Sequence, residues 1–136
     1  MQSARSLLPQ QIDDARRRLA GIIKPTPLIR STTLDRILDA HVFIKPENLQ
    51  KTGSFKIRGA YNRLATLTDE QKSRGVVAAS AGNHGPALAY AATRASVSAT
   101  IVMPTTAAIA KIDATRSYGQ VVVLEGVDYQ EARAAA

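Results

Sequence analysis

The stretch VVAASAGNHGPALAYAATRASVSATIVMPTTAAIAKIDATRSYGQVVVL, residues 76–124, repeats one rhythm of a short apolar run, a turn and a helix-forming segment. Val76–Ala79 is followed by a loop with two glycines and an alanine-rich helix expected over about 86–95. Ala99–Met103 is closed by Pro104, with helical sequence at about 107–117. Gln120–Leu124 is the third run, and another helix is expected to start near Asp128. Runs that begin near 76, 99 and 121 suit strand–helix units on a parallel sheet, since parallel strands need a crossover of helical length. No sequence repeat underlies the rhythm. The fold class is α/β.

The flanks are less regular. Ile12, Ala15, Leu19 and Ile22 recur at three- and four-residue steps, which predicts an amphipathic helix over 8–23. Lys24-Pro-Thr-Pro27 is expected to end it, because proline lacks an amide hydrogen and pushes its predecessor towards extended geometry. A short helix near 32–39 and a strand from His41 to Lys45, stopped by Pro46, follow. Gly53 marks a turn, and Ser54 is a plausible N-cap for a helix over about 55–67. At the other end, Glu131–Ala136 is good helix sequence with no capping residue after it, so a truncated final helix is expected.

Of the 136 residues, 45% are hydrophobic but only 4% aromatic, so the expected core is aliphatic and rich in alanine. The absence of cysteine excludes disulfides and thiolate metal sites. No metal site is expected. No segment has the length of a membrane span, and the N-terminus has no apolar signal region, so the expected location is the cytoplasm and no membrane partner is expected. The net charge of +7 lies wholly in residues 1–75, with residues 76–136 balanced. Its densest run, Arg16-Arg17-Arg18, follows Asp13-Asp14 at helical spacing, so Asp13/Arg17 and Asp14/Arg18 are expected to pair. Without interleaved aromatics this reads as a solvated helix face, and no nucleic-acid partner is expected.

Two segments carry chemistry. In Pro46-Glu-Asn-Leu-Gln-Lys-Thr-Gly-Ser-Phe-Lys-Ile-Arg-Gly-Ala-Tyr-Asn62, Lys56 falls in the first turn of a helix, where the dipole disfavours its charged form. Burial behind Phe55 and Ile57 is expected to act in the same direction, and a neutral amine suits carbonyl chemistry. From spacing alone the signal is weak, since most lysines are solvated and a solvated lysine is the commoner reading. The second segment, Ser80-Ala-Gly-Asn-His-Gly85, sits between a strand and a helix, where parallel α/β sheets bind ligands. Backbone amides there suit a carboxylate, although an empty strand–helix loop has the same pattern.

Together with Met103-Pro-Thr-Thr-Ala-Ala-Ile-Ala-Lys-Ile-Asp-Ala-Thr-Arg-Ser-Tyr-Gly119 and Lys24-Pro-Thr-Pro-Leu28, these segments resemble the pyridoxal-phosphate-dependent threonine and serine dehydratases, in one register over roughly residues 10–130. The resemblance implies a tryptophan-synthase-β-like (fold type II) enzyme, incomplete here. Residues 1–65 would be the N-terminal part of the large cofactor domain, and 66–136 the small mobile α/β domain, truncated. The implied cofactor is pyridoxal 5'-phosphate, carried as a Schiff base on Lys56, with Phe55 beside its ring and Asn83 on its 3-hydroxyl. Ser80, Ala81, Gly82, Asn83 and His84 would form the loop that receives the substrate carboxylate. Lys56 would take the Cα proton, and threonine would yield 2-oxobutanoate and ammonia. The implied partners are a small amino-acid substrate and, in the complete enzyme, further copies in a homo-oligomer.

Relatives that racemise serine carry serine where this chain has Ala81, and alanine cannot take a proton, which favours elimination. Gly85-Pro86 departs from the family's usual alanine- or glycine-glutamine, and puts substrate preference in question. The family's glycine-rich phosphate loop does not occur in these 136 residues, so the chain by itself is expected not to turn over. Two alternatives stand beside the main reading: a serine-preferring dehydratase or racemase relative, and a non-catalytic remnant.

Overall fold

The computed structural model describes residues 8–136, so the part of the expected 1–65 unit before residue 8 lies outside the described residues. Helix α1 spans Pro9–Leu19, with proline at its first position, where an amide hydrogen would have no partner. It ends four residues earlier than the expected 8–23. Ala20 turns extended (ψ 129°), Gly21 takes φ +74°, and Ile22 N–H donates to Leu19 O at 3.0 Å. That is a turn with the left-handed residue glycine tolerates best, so Gly21 stops the helix before the prolines can. On its surface Arg17 pairs with Asp14 and Arg18 donates to Asn62 Oδ1, in place of the expected one-turn pairs. The arginine run is exposed, as a solvated face should be.

The next segment is β1 (Ile29–Arg30), α2 (Thr32–Leu38) and β2 (Phe43–Ile44), with β1 and β2 antiparallel. Ser31 Oγ caps α2 by accepting from Leu34 N–H. The strand expected over 41–45 thus keeps only two residues, and its partner β1 was not expected. After a 3-10 turn at Glu47–Leu49, α3 runs over Lys56–Ala65, shorter than the expected 55–67. A helix absent from the expectations, α4 (Asp69–Arg74), starts at a capping box. Thr68 Oγ1 accepts from Gln71 N–H, and the Gln71 side chain accepts from Thr68 N–H.

The regular half agrees closely with its rhythm. β3 (Val76–Ala79), α5 (His84–Ala95), β4 (Ala99–Met103), α6 (Ile109–Ser117), β5 (Val121–Leu124) and α7 (Tyr129–Ala134) alternate along the chain. The strands form a parallel sheet in the order β3-β4-β5, with Val76 opposite Ala99 and Thr100 opposite Val121. Four of the five β4 residues are buried, whereas the edge strands are half exposed, as expected when a central strand is covered on both faces.

Alanine decides the packing. Ala87, Ala89, Ala91 and Ala92 of α5 are fully buried, and their small side chains let α3, α6 and β4 approach the helix closely. Ile57, Ala60 and Leu64 of α3 belong to the same core as Ile101 and Met103 of β4, so one apolar cluster fixes the lysine-bearing helix against the parallel sheet.

Candidate active site

The mouth of β3 and the head of α3 meet through α5. Ser80 continues the β3 ladder, its N–H donating to Val102 O at 2.9 Å. Its buried hydroxyl shapes the loop: Oγ accepts from Gly85 N–H (2.8 Å) and Gly82 N–H (3.3 Å) and donates to Gly82 O (3.2 Å). The Ser80 side chain is therefore spent inside the loop, and any ligand meets the backbone. The N–H groups of Ala81, Asn83 and His84 have no acceptor among the described residues. They lie at the positive end of a twelve-residue helix, a combination that suits a carboxylate. Gly85 permits this geometry, because a Cβ there would stand 3.2 Å from Thr115 Oγ1 and 3.4 Å from Ser80 Oγ.

Lys56 opens α3, with Ser54 Oγ near its N–H at 3.4 Å. Burial differs from the expectation. Ile57 is fully buried on the inner face, but Phe55 is 58% exposed and Lys56 is exposed as well, with Nζ 5.4 Å from the Phe55 ring centre. Successive helical residues point about 100° apart, so Ile57 cannot be buried inward and also screen its neighbour. His84 senses the lysine. Its imidazole is held below its ordinary pKa, first by burial and then by the Lys56 charge. Among the expected residues, Lys56, Phe55 and His84 thus gather on one side. Asn83 is at the same loop, but its Oδ1 accepts from Lys111 Nζ on α6.

The sequence reading missed the residues that hold α3 in place. Glu47 takes Arg58 in a two-pronged pair, Nε to Oε2 and Nη2 to Oε1, both at 2.8 Å, and Thr26 Oγ1 donates to Oε1. These partners hold the Glu47 carboxyl well below its usual range, at about 2; Arg58 contributes most, and burial opposes it. Buried Gln50 ties the 24–26 segment to the same loop, accepting from Lys24 N–H and donating to Lys24 O. Thr52 Oγ1, buried four residues before Lys56, has no hydrogen-bond partner among the described residues. The signal was in Pro46–Asn62, where Glu47, Gln50 and Arg58 stand, but their pairing needs the tertiary turn.

The fold is α/β, and it brings the Lys56 amine at the head of α3 to the side of the molecule that holds the unpaired amides at the mouth of β3. The chain belongs to the pyridoxal-phosphate dependent enzyme family, which its residues 19–136 match. It is 49% identical to the L-threonine ammonia-lyase of Thermotoga maritima over 93% of its own length and 32% of that protein. Among solved structures it superposes on maize serine racemase with a TM-score of 0.85 and 36% identity, covering 93% of this chain and 38% of that one. The processed threonine deaminase isoform 2 of Solanum lycopersicum gives 0.83 and 40%, covering 93% and 37%. The chain thus spans about a third of the curated relatives it matches. Its fold is part of the fold type II architecture of these enzymes, with pyridoxal phosphate as the family's cofactor.

Proposed function

We propose that this chain supplies the lysine and the substrate-carboxylate loop of an ammonia-lyase that converts threonine, and serine, to 2-oxobutanoate, or pyruvate, and ammonia. The observation that carries the reading is the exposed Lys56 amine, close enough to influence His84, beside the unpaired N–H groups of Ala81, Asn83 and His84. The donor set fits pyridoxal phosphate. Lys56 offers a primary amine to its aldehyde, Phe55 an open ring face, and Asn83 a carboxamide to its ring oxygen. When bound, the cofactor supplies an electron sink for the pair left at Cα.

The residues of the chain do the rest. The loop N–H groups bind the substrate carboxylate at the positive end of α5 and so fix which bond at Cα breaks. Lys56 Nζ takes the Cα proton. Burial keeps His84 neutral, so it can donate through one ring nitrogen without adding a second cation beside the lysine. Ala81 cannot return a proton to the opposite face, so the pair left at Cα forms the Cα=Cβ bond as the Cβ–O bond breaks, and the hydroxyl departs as water with the proton that Lys56 took. Water then hydrolyses the enamine to the keto acid and ammonia, which makes elimination the outcome and racemisation a minor one. This reading assigns residues 1–65 to the large cofactor domain and 66–136 to the small one, in a cytoplasmic homo-oligomer.

The test is Lys56→Ala in the complete enzyme that carries this region. Visible absorbance of the bound cofactor and keto-acid release from threonine should both disappear, and Lys51→Ala should retain both. Borohydride trapping of the cofactor on any lysine other than Lys56 defeats the assignment.

A further inference from the structure

Asn83 and Lys111 each give up the role their position offers. Asn83 precedes α5, and asparagine at that place ordinarily accepts an N–H from the first turn. Here its backbone is helical (φ −62°, ψ −16°) and its side chain makes no cap. Lys111 lies in the first turn of α6, where the helix dipole disfavours a cation, and no carboxylate lies within 4.0 Å of it among the described residues. The two meet across 28 positions, Lys111 Nζ donating to Asn83 Oδ1. Their helices are pressed together at the same turn. Thr115 Oγ1 donates to Lys111 O at 2.7 Å, and a Cβ at Gly85 would stand 3.2 Å from that hydroxyl, a tight contact.

We propose that Lys111 is a positioning residue that fixes the orientation and strengthens the donors of the Asn83 carboxamide. An ammonium has donors only, so the oxygen of the amide must face it and both Nδ2 hydrogens are left for a bound acceptor. Nδ2 donates to nothing within the chain among the described residues. A cation on the oxygen also polarises the amide, which makes its N–H groups better donors to an anionic oxygen than to a protonated one. The identity of that acceptor, the ring oxygen of pyridoxal phosphate, rests on the proposed function. In that setting Lys111 keeps the ring oxygen ionised without touching it. Local rules broken at two positions for one contact are what a functional constraint leaves behind.

The experiment compares Lys111→Met, Lys111→Arg and Asn83→Ala with the unaltered protein, all in the complete enzyme that carries this region, by two readouts. The first needs no cofactor. In amide NMR the Asn83 Nδ2 proton pair should shift in Lys111→Met and stay near its place in Lys111→Arg, with the backbone spectrum otherwise retained. The second is titration with pyridoxal phosphate. Lys111→Met should move bound absorbance from the visible band towards the near-ultraviolet and weaken retention about tenfold, the loss expected for one charge-assisted hydrogen bond. Lys111→Arg should restore both, and Lys111→Met should add nothing in an Asn83→Ala background. Unchanged Asn83 resonances together with an unchanged band ratio in Lys111→Met overturn the inference. Cofactor that fails to attach to Lys56 in the unaltered protein overturns the proposed function instead, and the cofactor-free readout still decides the Lys111 contact.

Discussion

Replacing Glu47 by glutamine keeps the size of the side chain and removes the charge that clamps the head of α3. The carboxyl is held at about 2 against an ordinary 4.5, chiefly by the paired bonds from Arg58. At about 1.4 kcal/mol per pKa unit, that difference sets a ceiling of about 3.5 kcal/mol. The Arg58 side chain is 30% exposed and Glu47 15%, so water and salt screen part of this, and about 2 kcal/mol is the expected loss. The sign with pH follows from the lowered value. A carboxyl whose pKa falls on folding stabilises the fold fully above its unfolded value and loses that contribution as pH drops through its folded value. Urea unfolding of the two proteins should differ by a constant amount at neutral pH, with the gap closing below about 4.5 and gone near pH ~2. A gap that persists unchanged in acid would mean that Glu47→Gln acts through shape, and a gap near zero at neutral pH would mean that the pair is solvated.

Lys56→Ala should raise the His84 pKa part of the way to its ordinary value, because the lysine charge is the second cause of its depression and burial remains; an unchanged imidazole titration by NMR would separate the two residues. Ala81→Ser in the complete enzyme should produce some D-serine from L-serine, since a hydroxyl on the second face can carry a proton. Chiral analysis that finds none would show Ala81 is not what bars racemisation. Gly126→Ala should cost about 2 kcal/mol in denaturant unfolding, because φ is +78° and the added Cβ would lie 2.5 Å from Glu131 Cβ. A neutral result there would mean that α7 shifts freely.

How much of this was legible depended on how local each determinant is. Val76–Ala79 and Ala99–Met103 were found to the residue because an apolar run bounded by glycine or proline has one place to go in an α/β fold. β1 was invisible, since two residues, Ile29 and Arg30, carry no period and exist as a strand only through Phe43 and Ile44. α4 has no apolar stripe at all in Asp69–Arg74, and its one local signal is a capping box, threonine three residues before glutamine. The end of α1 was misplaced because a left-handed glycine acts before a proline does.

The site divides along the same line. Lys56 and the 80–84 loop were named from contiguous motifs, and the structure places them beside each other because Ile57, Ala60 and Leu64 anchor α3 to α5. What the motifs could not convey is which neighbours the functional groups choose. Glu47 reaches Arg58 across a 3-10 turn, and Asn83 reaches Lys111 across a whole strand–helix unit; neither spacing means anything until the chain has folded. Both contacts put a charge one step behind a residue of the site. Arg58 stands two residues after Lys56 and ties its helix to Glu47, whereas Lys111 settles which end of the Asn83 amide remains to donate. An asparagine is a common residue; what sets Asn83 apart here is the second charge on its amide oxygen.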